Sequence, residues 1–74
     1  MMLCEGKVGR SYKIIGIEGG RGVKGRLMHL GIVPNSIIRI KRAAPLHGPL
    51  MLSVNGIDLL IGRGIAKKIV VEEV

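Results

Sequence analysis

The sequence predicts a mainly β fold, a small barrel of about five short strands with one short helix after the first strand. Three observations support this prediction. Apolar and polar residues alternate along most of the chain, a glycine ends a single helical pattern, and Asn55-Gly56 lies between two apolar runs. The 74 residues make one domain, 1–74. A chain this short buries only about 60% of its unfolded surface, so its core must be dense in aliphatic side chains.

The helix is predicted over 23–30. Val23, Leu27 and Leu30 recur at i, i+4 and i+7, which places them on one helix face that we expect to pack on the core. Gly31 can adopt a positive φ at the helix end without steric cost. We therefore expect the chain to leave the helix at Gly31 and to turn toward the next strand.

The turn and the strand that follow the helix have their own local signals. Pro34-Asn35 suits a turn, since proline presets φ at the second position and asparagine tolerates the left-handed region at the third. Ile38 and Ile40 then alternate with Arg39 and Lys41. This alternation predicts a strand with one buried face and one solvated face.

Asn55-Gly56 is the strongest hairpin signal in the chain, because both residues accept positive φ in a type I′ turn. We expect the apolar residues of the flanking strands to face the core together: Leu50, Leu52 and Val54 before the turn, and Ile57, Leu59 and Ile61 after it. The predicted strands span 13–17, 36–43, 50–54, 57–61 and 69–72, with a single turn of 3₁₀ type over 62–66.

The chain is strongly basic, with 12 Lys and Arg against 5 Asp and Glu and a formal net charge of +7. Such a surface can attract nucleic acid, anionic lipid or an acidic protein, or can serve solubility alone. Base stacking usually needs aromatic platforms, and Tyr12 is the only aromatic residue. Nucleic acid is therefore the second choice of partner and not the first.

The pattern of the chain favours a cytoplasmic protein. Cys4 is the only cysteine, so no intramolecular disulfide can form and a reducing compartment fits. The N-terminus lacks the basic and apolar regions of a signal peptide. No apolar run approaches the roughly 18 residues that a membrane helix needs.

The sequence shows neither a catalytic set nor a ligand set for a metal. His29, His47 and Cys4 are the only soft metal ligands, and they lack the spacing of a metal site. Asp58 is the only aspartate, and no nucleophile, base and orienting group occur together. The glycine-rich segment 19–25 lacks the spacing of a phosphate-binding loop. We expect no enzymatic activity and no required cofactor.

Five residues are candidates for contact with a protein partner. Met28 and Met51 lie off the predicted core faces, and Leu46 lies in a proline loop. Exposed methionines often serve adaptable interfaces, although scattered apolar residues are also normal at surfaces. Arg39 and Lys41 supply a basic rim. We expect the partner-binding surface to combine these five residues.

The order and spacing of several motifs resemble the FeoA family, that of ferrous iron transport protein A. The resemblance covers nearly the whole chain. Asn35 stands where the family usually has glycine, and it is the next best residue for that turn. The motifs are Arg26-Leu27-x-x-Leu30-Gly31-Ile32-x-Pro34, Ala44-Pro45-Leu46-x-Gly48-Pro49, Val54-x-Gly56, Ile61-Gly62-Arg63-Gly64-x-Ala66 and Ile69-x-Val71.

The resemblance implies an SH3-like barrel and a cytoplasmic accessory protein that works with FeoB, a membrane Fe²⁺ transporter carrying a G-protein domain. The same barrel is appended to iron-dependent repressors, and we expect the stand-alone form here because no room exists for their DNA-binding region. Binding of Fe²⁺ or another transition metal is also mentioned for the family, without a ligand set in these residues. The alternatives are a nucleic-acid-binding small basic barrel and a transition-metal-binding protein.

Overall fold

The computed structural model describes residues 1–74 and is mainly β, as predicted. A short 3₁₀ turn precedes the first strand, the main helix follows that strand, and a one-turn helix precedes the last strand. The elements are the 3₁₀ turn Leu3–Glu5, β1 Ser11–Ile17, α1 Arg21–His29, β2 Ile37–Ala43, β3 Leu50–Val54, β4 Ile57–Ile61, α2 Arg63–Ala66 and β5 Ile69–Glu73.

The five strands form one antiparallel sheet in the order β4-β3-β2-β1-β5. Two register shifts bend this sheet, one between Ile14 and Gly16 on β1 and one between Ile40 and Arg42 on β2. Such bulges increase local twist and let a sheet curl around a core. No ladder joins β4 to β5, so the barrel stays open along this seam and β4 keeps a free edge.

The core consists of side chains from the inner face of the curled sheet, together with residues of the helices and loops that cover it, and contains no buried polar residue. Ile38 and Ile40 of β2 are fully buried while Arg39 and Lys41 between them are exposed, which confirms the predicted alternation. Fourteen residues are buried: Leu3, Tyr12, Ile14, Leu27, Ile32, Ile38, Ile40, Leu50, Leu52, Val54, Ile61, Ala66, Ile69 and Val71.

The N-terminal segment belongs to this core, although its sequence carries little pattern. Leu3 is fully buried. Met2 forms a bridge with Val70, and the Val71 N–H donates to the Met1 carbonyl at 2.8 Å. These contacts cover the outer edge of β5. A three-residue 3₁₀ turn is too short to show a hydrophobic period, so no sequence pattern predicts this packing.

The prediction that Leu30 lies on the core face of the helix is wrong. The helix ends at His29, and Leu30 is the capping residue, 41% exposed. Gly31 has a φ of +85°, as expected, and it turns the chain so that the Ile32 N–H donates to the Leu27 carbonyl at 2.9 Å. Ile32 therefore enters the core in place of Leu30.

The hairpin at Asn55-Gly56 is confirmed, with φ values of +52° and +80° and with Val54 paired to Ile57. The prediction that every apolar residue of the return strand faces the core is only partly correct. Ile57 is 62% exposed and Leu59 is half-buried, so only Ile61 of that set is buried. The cause is that β4 is the edge strand at the open seam, so fewer elements cover its side chains. The predicted 3₁₀ turn over 62–66 is also corrected, because it is an α-helical turn.

Tyr12 supplies the one buried hydroxyl of the core region. Its side chain is 1% exposed, and its hydroxyl oxygen accepts a hydrogen bond from the Lys7 N–H at 2.8 Å. We expect Tyr12→Phe to lower the free energy of unfolding by about 1 kcal/mol, because the Lys7 N–H loses its partner. Urea unfolding measures this loss, and a variant as stable as the parent would show that water replaces the bond at no cost.

Candidate interaction surface

An open groove runs between α1 and the β4–α2 segment and has a volume of about 410 Å³. Its floor is apolar, and Arg26 is the one charged residue that borders it. No side chain of the protein fills the groove, so the apolar atoms that line it face solvent. The groove is lined by Gly22, Val23, Arg26, Leu27, Leu30, Leu60, Ile61, Gly62 and Ile65.

The groove exists because α1 attaches to the barrel through little apolar surface. Leu27 is the only buried residue of α1, and Val23 packs against the core while still half-exposed. Gly22 and Gly62 add no side chains at the rims, and a Cβ at either position would meet no atom within 4 Å. The helix therefore leaves a channel beside β4 instead of closing on it.

Two leucines stand at the edges of this groove. Leu30, the C-terminal capping residue of α1, is 41% exposed, and Leu60 on β4 is 66% exposed. The backbone of β4 is also available on one side. Because β3 is the sole strand neighbour of β4, one row of β4 N–H and C=O groups has no strand partner. The groove thus combines apolar side chains with an open sheet edge.

Leu60 and Leu30 were missed as surface candidates. The helical period predicts Leu30 in the core, and no pattern in the apolar strand 57–61 predicts Leu60 as a contact residue. The usable signal was that Leu60 follows Leu59 directly, which places an aliphatic side chain on the face of β4 that also carries Asp58. An apolar residue at a solvent-facing strand position is the pattern expected of a contact surface.

Met28 lies in a different groove, on the other side of α1. It is 60% exposed, as expected for a residue off the core face. This second groove has a volume of about 350 Å³ and is lined by Gly16, Ile17, Lys24, Met28, Ile32, Val33 and Pro34. None of the other predicted partner residues lines the groove that contains Met28.

Leu46 and Met51 lie at the β2–β3 end of the sheet. Leu46 is 96% exposed at the tip of the proline loop. Met51 was expected to be exposed, and the structure shows it half-buried. The reason is that it pairs with Arg42 on one side and with Leu60 on the other. A shallow depression of about 260 Å³ joins Met51 and Leu60 to the base of the loop.

Arg39 and Lys41 are exposed on the solvated face of β2 and border a polar cleft, which they line with Gly9 and Ser53 and without any hydrophobic residue. The Lys41 Nζ lies 2.9 Å from Asp58 Oδ2, and both side chains are nearly half-exposed. This pairing offsets one of the two cations. The structure therefore brings Met51 near Leu60 and sets Arg39 with Lys41, while Met28 and Leu46 lie apart.

The Lys41–Asp58 pair is expected to contribute little to stability. Exposed ion pairs typically contribute about 0–1 kcal/mol, since water and salt screen them. We expect Lys41→Met to change the free energy of unfolding by less than about 1 kcal/mol. Urea unfolding at low and high salt checks this, and a larger, salt-independent loss would mean that the pair anchors the β2–β4 packing.

The residues present do not fit a resident transition metal. No three His, Cys, Asp or Glu side chains converge. His29 and His47 are exposed on separate elements, and Cys4 is half-buried with its carbonyl accepting from Arg63 Nη1 at 3.3 Å. None of the helices is long and apolar enough to cross a bilayer.

Comparison with known families decides the relationship. The FeoA domain model matches residues 1–73. The chain belongs to the FeoA family. A Methanocaldococcus jannaschii protein, named as an Fe(2+) transport protein A, is 35% identical over 71 residues, covering 96% of this chain and 84% of that protein. The resemblance that the sequence motifs indicated is therefore confirmed.

Solved FeoA structures have the same fold as this FeoA-family chain. The solution structure of FeoA from Chlorobium tepidum superposes with a TM-score of 0.92 at 32% identity, covering 100% of this chain and 70% of that one. FeoA from Stenotrophomonas maltophilia, solved in complex with zinc and described as a prokaryotic SH3 domain protein, gives a TM-score of 0.83 at 24% identity over 97% and 89% of the two chains. The predicted SH3-like barrel is thereby confirmed.

Proposed function

We propose that this FeoA-family chain is a cytoplasmic accessory protein of ferrous iron uptake that docks on the cytoplasmic region of an FeoB-type membrane transporter and modulates it. Family membership supplies the setting of ferrous iron transport. The observation that carries the proposal is the solvent-facing groove between α1 and β4, because its apolar lining has no occupant within the chain. The docking contact is therefore assigned to this groove.

Leu30 and Leu60 are the anchors of the proposed contact. A few apolar side chains near the centre of an interface carry most of the binding energy. Both leucines flank the groove, and Val23 and Ile65 between them are half-buried, so an apolar ridge of the partner would be fully desolvated there. The free edge of β4 adds main-chain donors and acceptors for an extended partner segment.

The predicted partner residues enter this proposal with different roles. Met51 extends the apolar surface, because it is the cross-strand neighbour of Leu60. Arg39 and Lys41 lie on the solvated face of β2 and would steer an acidic partner toward the groove, since rim charges mainly tune association rate and salt response. Met28, on the far side of α1, is left outside the docking contact.

The proposed role is binding without chemistry. The chain offers no nucleophile paired with a base, and the groove has one charged residue, Arg26, at its border. The absence of enzymatic activity stays a prediction. Modulation would then follow from stabilising one conformation of the transporter, which requires only that the chain bind two conformations with different affinity.

Calorimetric titration of the chain into the isolated cytoplasmic region of the transporter tests the proposal. We expect saturable binding that weakens as salt is raised, since the chain carries a net charge of +7. Binding weaker than about 1 mM at low salt would contradict docking. A generic DNA duplex provides the comparison, because tight, steeply salt-dependent binding to it would favour the nucleic-acid alternative.

A further inference from the structure

The loop between β2 and β3, residues 44–49, presents the most exposed apolar side chain of the barrel. Leu46 is 96% exposed, and Val74 at the chain end follows with 78%. The loop contains no Lys, Arg, Asp or Glu, since its sequence is Ala-Pro-Leu-His-Gly-Pro. Its tip therefore presents a leucine side chain that nothing in the chain covers, next to the exposed His47.

This loop is held in one shape. The Ala44 N–H donates to the Pro49 carbonyl at 3.0 Å, and the Gly48 N–H donates to the Pro45 carbonyl at 3.1 Å. From outside the loop, Arg63 Nε donates to the Gly48 carbonyl at 2.8 Å. Leu46 is thus presented on a closed and braced turn, so little conformational entropy is lost when it makes a contact.

The backbone at the tip adopts an unusual conformation. Leu46 and His47 both have a φ of +58°, the left-handed region that non-glycine residues rarely occupy. Such residues persist only where the surrounding structure fixes them, and they concentrate at functional positions. Leu46 and His47 are the two central residues of the turn that the Gly48 N–H closes on the Pro45 carbonyl, and the Leu46 side chain at this turn is exposed to solvent.

Cations lie around the base of the loop. Lys41 and Arg42 precede it on β2, and both are exposed. Lys41 is paired with Asp58 of β4 at 2.9 Å, so Arg42 is the cation of the two that carries no ion pair. Arg42 also borders the depression that runs from the loop base to Met51 and Leu60. The loop therefore combines an exposed leucine at its tip, an apolar flank and the unpaired cation Arg42 at its base.

We propose that loop 44–49 contacts an anionic membrane surface, with Leu46 inserted at the boundary of headgroups and acyl chains and with Arg42 against the anionic headgroups. An apolar side chain together with nearby cations is the pair of signals by which peripheral proteins bind bilayers. Nucleic acid fits less well, because the loop has no Phe, Tyr or Trp to form a stacking platform for bases.

The inference rests on the proposed function, because a chain that docks on a membrane transporter works close to a bilayer. Leu60 borders both the docking groove and the depression beside the loop. The groove and the loop are therefore neighbours on one side of the barrel. A chain docked through the groove would therefore present Leu46 next to the docking contact.

Co-sedimentation with vesicles tests the inference without the transporter. The probes are vesicles of phosphatidylcholine alone and of phosphatidylcholine mixed with phosphatidylglycerol. We expect the chain to sediment with the mixed vesicles and not with the neutral ones. Leu46→Asp should lower the partition coefficient about tenfold or more, because a leucine side chain no longer leaves water. Met28→Asp is the matched control, with the same charge change at another exposed residue, and should sediment as the parent does.

Each other outcome overturns the proposal. If the parent chain does not sediment with anionic vesicles, or if Leu46→Asp sediments equally well, the loop is not a membrane contact. If Leu46→Asp weakens lipid-free binding to the transporter region, the loop is a protein anchor instead. If it weakens binding to a DNA duplex, the loop serves nucleic acid. Thermal melts verify that the variant is folded, and the lipid-free titration tests docking separately.

Discussion

Leu27→Ala is expected to lower the free energy of unfolding by about 2–5 kcal/mol, the range for a core leucine that leaves a cavity. Leu27 is 2% exposed and is the only buried residue of α1. The helix also contains Gly22 and Gly25, each of which lowers helix propensity by about 1 kcal/mol relative to alanine. Without Leu27 little remains to hold α1 on the barrel.

Denaturant unfolding monitored by circular dichroism measures this loss. Met28→Ala is the matched control, because Met28 is the next residue of the same helix and is 60% exposed. We expect that control to change stability by less than about 0.5 kcal/mol. A loss below about 1 kcal/mol for Leu27→Ala would show that α1 is not anchored through this side chain.

Leu60→Asp is expected to weaken binding to the transporter's cytoplasmic region by about 30-fold or more, the loss typical of a hot-spot side chain. The carboxylate would have to be desolvated against the apolar partner surface that Leu60 normally contacts. Because Leu60 is 66% exposed in the free chain, the variant should melt within a few degrees of the parent.

The control for this prediction lies on the same strand. Ile57 is 62% exposed but does not line the groove. Ile57→Asp therefore introduces the same charge on β4 outside the proposed contact, and we expect it to bind as the parent does. Equal weakening by the two variants would mean that negative charge on β4, and not the groove, determines the effect. Unchanged binding by Leu60→Asp would place the contact elsewhere.

The parts of the fold that the sequence predicted are those with local chemistry. The hairpin at Asn55-Gly56 and the left-handed residues Gly31 and Asn35 follow from backbone preferences that single residues carry, and all have positive φ as expected. The alternation of Ile38 and Ile40 with charged residues likewise fixed the faces of β2. These signals need no knowledge of which elements meet.

The errors arose where tertiary contacts decide burial. Leu30 satisfied the helical period but lies beyond the last helical residue, so the turn at Gly31 buries Ile32 instead. Leu3 is buried by a segment too short to show a period. Gly6 is a further case, since a Cβ there would lie 2.5 Å from Ile40 Cδ1, a close approach that no local pattern announces.

The candidate site was predicted less completely than the fold, because topology creates it. The groove is formed by α1 and β4, which are separated in sequence by two strands and meet only when the sheet curls. Sequence reasoning found individual apolar candidates such as Met28 and Met51 but could not place them on one surface. Only the adjacent pair Leu59-Leu60 hinted that the outer face of β4 was unusual.

The docking surface is tested most directly by mapping it residue by residue. Titration of the ¹⁵N-labelled chain with the transporter's cytoplasmic region, followed by amide chemical shifts, reports which residues meet the partner. We expect the largest changes along the groove, at Leu30, Leu60 and Ile65, and none beyond weak shifts at Gly9 and Ser53 of the polar cleft. Changes confined to that cleft, or none at saturating partner, would contradict docking through the α1–β4 groove.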